Sequence, residues 1–220
     1  MPHRPPDVAP ELVQRDLSED QLQAFLASPF LSVDTETLGL QQLRDRLCLV
    51  QLCDASGRAV IVQLPRDQVI SSAPLESRAP RLKRVLEDPR VLKILHFARF
   101  DVAVLRHYLG IRLWPLYCTR TASKLVRTYT DRHGLKDVAL ELLDVEMEKV
   151  TRHSDWAAAD LSPEQVRYAI SDVTMLIAIM QRLDAMLVRE GRKELALECF
   201  RVVPVMAELD LRGYELLFEH

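Results

Sequence analysis

Four cysteines are too few and too scattered for a disulfide framework or a thiolate metal centre. Cys48, Cys53, Cys118 and Cys199 form no CxxC pair and no Cys/His ligand spacing. Cys48 and Cys118 sit inside apolar stretches and read as small buried hydrophobes, which points to a reducing cytoplasm. An excess of positive charge is also missing. With 29 Lys+Arg against 32 Asp+Glu the net charge is −3, so the broad basic surface that coats long duplexes is excluded, while a local grip on one or two phosphates stays open. The most continuous apolar run, around Met175 to Met180, is far too short to span a bilayer. The first ten residues hold four prolines and no apolar core of a signal peptide. Residues 1–14 are therefore expected to form a disordered arm.

What remains is ordinary for one globular domain over residues 15–220, with 48% of the chain hydrophobic and 28% charged. Ser18 followed by Gln21 resembles a capping box and predicts a helix through about Ala27. Phe30 to Val33 runs as a buried strand into Asp34-Thr35-Glu36. Leu47 to Leu52 and Ala59 to Leu64 read as two more strands around the turn Asp54 to Gly57, an antiparallel meander. Val91 to Leu95 and Leu113 to Cys118 predict further strands, with a helix over Phe100 to Leu109 capped by Gly110. Helices are expected at about 119–129, 135–143, 163–189 and 193–212. The sum is an α/β fold, a mixed sheet flanked by helices.

The chemistry lies in the acids. On a strand Asp34 and Glu36, two apart, face the same way, and two like charges that close repel unless a cation lies between them. Solvated strand-end acids are the plain alternative. Asp101 falls in the first turn of a helix, where any acid is stabilised by the helix dipole. Tyr168 and Asp172, four apart, share one face of an otherwise apolar helix. Singly, each is weak. Together, four carboxylates on strands and helices can converge on two cations about 3.5–4 Å apart, the arrangement that hydrolyses phosphodiesters. Oxygen-only ligands select Mg²⁺ or Mn²⁺ over zinc.

The set Asp34-x-Glu36, Asp101 and Tyr168-x-x-x-Asp172 resembles the three exonuclease motifs of the DEDD superfamily, in its tyrosine-bearing DEDDy branch. His153-Ser154-Asp155-Trp156 and Leu161-Ser162-Pro163-Glu164-Gln165 are similar to ribonuclease D, without its following helical HRDC domain. His96 to Leu105, Leu125 to Asp137 and Ser154 to Trp156 resemble the compact nano-RNase C group, with likeness from about residue 15 to the C-terminus. The resemblance implies an RNase H-like exonuclease fold and 3′→5′ hydrolysis of very short RNA, dinucleotides included, to nucleoside 5′-monophosphates. It also implies a homo-oligomer, a ring octamer. The alternative within the same chemistry is ribonuclease D-like trimming of longer RNA or DNA 3′ ends. Other classes are a non-catalytic exonuclease-fold binder, which the retention of every acid disfavours, and a structural, oligomer-forming protein.

On that resemblance Asp34, Glu36 and Asp172 hold one cation, Asp34 and Asp101 help place the second, and Tyr168 orients the attacking water. Leu40 matches a position where related oligoribonucleases wedge a leucine between two bases, though it could equally pack under the sheet. Arg120, Lys124 and Arg127 share one helical stripe, with Arg132, His133 and Lys136 just beyond. Arg127, His133 and Lys136, with His96, are candidate substrate contacts, and a merely solvated stripe is the alternative. Trp156 reads as a core anchor rather than a stacking surface.

Overall fold

The computed structural model describes residues 9–147 and 155–218. Two strands with no polar alternation set the centre of the sheet. β3 (Leu47–Asp54) and β4 (Ala59–Gln63) come later in the chain than β1 (Glu11–Gln14) and β2 (Phe30–Thr37), and both are buried at every position. Strands covered on both faces need helices on both sides. β5 (Leu92–Leu95) and β6 (Leu116–Cys118) complete a six-stranded sheet in the order β1-β4-β3-β2-β5-β6. β2, β3 and β4 form the expected antiparallel meander, whereas β5 and β6 add in parallel to β2. The fold is the α/β, RNase H-like class.

The helices follow their end signals. α1 (Glu19–Ala27) opens with the Ser18–Gln21 capping box. A four-residue α2 (Arg66–Val69) and α3 (Pro80–Leu86) precede β5. α4 (Arg99–Leu109) crosses from β5 to β6 and ends at Gly110, whose φ of 64° is the left-handed conformation that glycine adopts without strain. Then come α5 (Thr119–Val126) and α6 (Leu135–Leu143).

Two expectations are corrected. The arm does not extend to residue 14: β4's outer row of backbone groups needs partners, and Glu11–Gln14 supplies them as a parallel strand. Gln14 reinforces the pairing by donating from Nε2 to Gln63 Oε1 at 2.7 Å. Residues 1–8 lie outside the described residues. The helix expected over 163–189 is two, α7 (Pro163–Thr174) and α8 (Leu176–Arg189), broken at Met175. Ser171 Oγ donates to Tyr168 O at 2.8 Å and Thr174 Oγ1 to Ser171 O at 3.3 Å. Such back-bonding competes with the helical ladder and bends it. The break lets α7 pack on β2, β3 and β4 while α8 packs on α5. A long α9 (Lys193–Leu211) closes the fold against α4.

Candidate active site

The pairing of β2 with β5 stops at Ser32↔Ile94, while β2 itself continues to Thr37. The chain leaves β5 and turns into α4, so the end of β2 lies beyond its parallel partner, at the carboxyl end of β5, the usual place for a site in such sheets. Asp34 and Glu36 stand on this overhang. α4 brings Asp101 in its first turn, where the Thr35 hydroxyl donates to Asp101 Oδ1 at 2.6 Å. α7 packs on β2 and brings Asp172, with Tyr168 one turn earlier. Carboxylate oxygens of Asp34, Glu36 and Asp172 lie within 4.8 Å of one another. Asp101 is buried beside this trio.

The electrostatics describe a site short of positive charge. Burial, then the charges of Asp101, Asp172 and Glu36, hold the Asp34 carboxyl well above the ordinary range. Burial, with Asp172 and Asp101, raises Glu36 to about 8. Asp101 is raised to about 7 by burial, against the Thr35 hydrogen bond. Asp172 is raised to about 6 by burial, with hydrogen bonding from Tyr168 and the charge of Lys136 pulling it down. Burial and the neighbouring Asp172 and Glu36 push the Tyr168 phenol far above its normal range. The Tyr168 phenol therefore keeps its proton in this environment. Crowded carboxylates driven toward protonation are relieved by a divalent cation, and an all-oxygen donor set fits Mg²⁺ or Mn²⁺.

The expected substrate contacts divide. Leu40 follows β2 and is 86% exposed, so it does not pack under the sheet. His96, at the end of β5, places Nδ1 2.9 Å from Thr119 Oγ1, which in turn donates to Leu95 O. His96 Nε2 is buried with no partner among the described residues. Burial, with Arg120 nearby, lowers this histidine to about 4, so it is neutral. Lys136 acts on Asp172. His133 Nδ1 lies 2.9 Å from Ser123 Oγ.

Arg127 does not belong with them. Its side chain is 1% exposed and donates to Glu141, to Ser123 Oγ at 2.9 Å and to Arg132 O at 2.7 Å. The helical stripe is broken because Arg127 is the C-cap of α5, turned inward to tie α5 to α6. Trp156 is buried, its ring 6.1 Å from that of Tyr168, as a core anchor. His153 and Ser154 lie outside the described residues. Thr35 escaped sequence reasoning, although a threonine between two strand-end acids marks a hydroxyl on the opposite face from both.

Residues 12–188 match the family model of the 3′-5′ exonuclease. A ribonuclease D of Gluconacetobacter diazotrophicus is 35% identical over 164 residues, which is 74% of this chain and 39% of that protein. The structure of Brucella melitensis NrnC bound to pGG is 42% identical, covers 97% of this chain and 100% of its own, and superposes with a TM-score of 0.88. Brucella melitensis NrnC with bound Mg²⁺ is 42% identical with a TM-score of 0.87, over 97% and 100% of the two chains.

Proposed function

Because this chain belongs to the 3′-5′ exonuclease family, within the DEDD superfamily that includes ribonuclease D and nano-RNase C, we propose that this exoribonuclease acts on very short RNA. It would cleave dinucleotides and short oligoribonucleotides from the 3′ end to nucleoside 5′-monophosphates, with two divalent cations. The observation that carries the reading is the gathering of Asp34, Glu36 and Asp172 oxygens within 4.8 Å, with Asp101 beside them.

In this reading Asp34, Glu36 and Asp172 would hold one Mg²⁺ or Mn²⁺, and Asp34 with Asp101 would help hold the second. Bound cations of this kind acidify the attacking water and stabilise the departing 3′ oxygen. The Tyr168 hydroxyl, held by Asp172, hydrogen-bonds the attacking water and orients it. Lys136, near Asp172, offsets negative charge at the phosphate. Leu40 separates the two bases, and neutral His96 stands beside the nucleotide at the end of β5. His133 lies on the Ser123 side of the same region.

Residues 15–220 with the added strand β1 act as one catalytic domain, and the enzyme works in the cytoplasm as a homo-oligomer, a ring octamer. Exposed Leu195, Val202 and Val205 on α9 support self-association. Among the described residues, no helix is long and apolar enough to cross a membrane.

The test is digestion of a dinucleotide and of longer 3′-labelled RNA and DNA strands, with and without Mg²⁺, resolving products by length. The expected result is metal-dependent release of 5′-monophosphates, fastest on the dinucleotide. Faster cleavage of the longer strands would replace this reading with ribonuclease D-like trimming.

A further inference from the structure

We propose that Phe97 is a base-stacking platform beside the acid cluster, a residue that selects for an intact nucleobase in the nucleotide being processed. The inference rests on the exonuclease reading above and adds a specificity determinant to it.

Phe97 links β5 to α4, one residue before the Ala98 N-cap and one helical turn before Asp101. A nucleotide with its scissile phosphate at the acids therefore has a base within reach of this corner. The backbone of Phe97 has φ 64°, a left-handed conformation that is uncommon and strained for a bulky residue. Glycine would adopt it freely, yet a large ring stands there, and the ring is 50% exposed. Burial of the ring in the core does not explain the choice.

What holds the ring is specific. The Arg120 guanidinium carbon lies 4.5 Å from the ring centroid, inside cation–π range. Arg120 Nε is buried without a hydrogen-bond partner among the described residues. Stacking on Phe97 is thus one defined contact of this cation. The preceding pair, His96 and Thr119, is hydrogen-bonded at 2.9 Å. Two consecutive residues after β5 are matched to the first two residues of α5, which sets the angle of the ring. Arg120 covers one face, and half of the residue's surface stays open to solvent. A fixed aromatic face open to solvent suits a planar base of any identity. The exposed Tyr129 differs, since its hydroxyl is tied to Glu141.

The test compares wild type with Phe97→Ala, Phe97→Tyr and Phe97→Gly. Substrates are a dinucleotide and two versions lacking the base at one position or the other. Phe97→Ala should raise KM for the intact dinucleotide roughly tenfold to a hundredfold with kcat little changed, and Phe97→Tyr should restore it. On one of the two abasic substrates, wild type and Phe97→Ala should become equal. Phe97→Gly should melt no lower than wild type while sharing the KM defect, which separates stacking from folding. An unchanged KM in Phe97→Ala, or an equal loss on all three substrates, overturns the proposal. Equilibrium quenching of a 2-aminopurine dinucleotide separates the two readings. Phe97-dependent quenching without turnover sinks the exonuclease reading and retains the platform, and turnover with Phe97-independent quenching does the reverse.

Discussion

At the end of β2 three carboxylates crowd within 4.8 Å and are driven toward protonation, whereas the more deeply buried guanidinium of Arg127 is satisfied by Glu141, Ser123 and a backbone carbonyl. Both places put charge out of water. Only one of them completes its hydrogen bonding from within the chain. The contrast teaches how to tell a charge kept for chemistry from one kept for architecture: the first is left short of partners of opposite sign, and the second is not.

The largest effect that could break this contrast is on turnover. Asp34→Asn should lower the rate on a dinucleotide at saturating Mg²⁺ by at least about a thousandfold, with the circular dichroism spectrum unchanged. Substantial activity in that variant would place the reaction elsewhere. Next comes Arg127→Met, which should lose roughly 2 kcal/mol of stability in urea unfolding while kcat per folded molecule holds. A loss of kcat at unaltered stability would return Arg127 to the substrate contacts.

The pH response sharpens the comparison further. Glu36, Asp101 and Asp172 have folded pKa values raised to about 8, 7 and 6 from ordinary values of 4.5, 3.8 and 3.8. The folded protein therefore binds more protons than the unfolded chain between those limits. Metal-free protein should be most stable near pH 4 and lose stability steadily as pH rises to about 8. Mg²⁺ should flatten this slope, and its own affinity should weaken as pH falls from 8 toward 6. Thermal melts across pH with Mg²⁺ and with chelator check both signs. The smallest effect belongs to Leu40→Ala. With 86% of Leu40 exposed, stability should move by less than about 0.5 kcal/mol, while KM for a dinucleotide rises roughly fivefold. An unmoved KM would leave Leu40 an ordinary surface residue.

Much of this was legible in the residues because the signals are local. Strand alternation puts Asp34 and Glu36 on one face, helical spacing puts Tyr168 with Asp172, and the Ser18 capping box marks where α1 begins. Convergence of the acids was only an expectation, because it depends on where β2 outruns β5, a tertiary fact. Arg127 was misread for the opposite reason: helical spacing assigns a stripe but does not say that the helix stops at Val126. The break at Met175 arises from hydroxyl back-bonding that periodicity does not register, and β1 from pairing with a distant strand that four mixed residues do not announce.

That short strand has a consequence beyond architecture. α9 packs against β6 at one margin of the sheet, and at the other β1 takes up the exposed ladder of β4. A protein trimmed before Arg15 would present β4 as a bare template to its own copies, the geometry from which strand-by-strand polymerisation starts. With β1 in place the sheet ends instead on a strand of four residues, shorter than the five of β4.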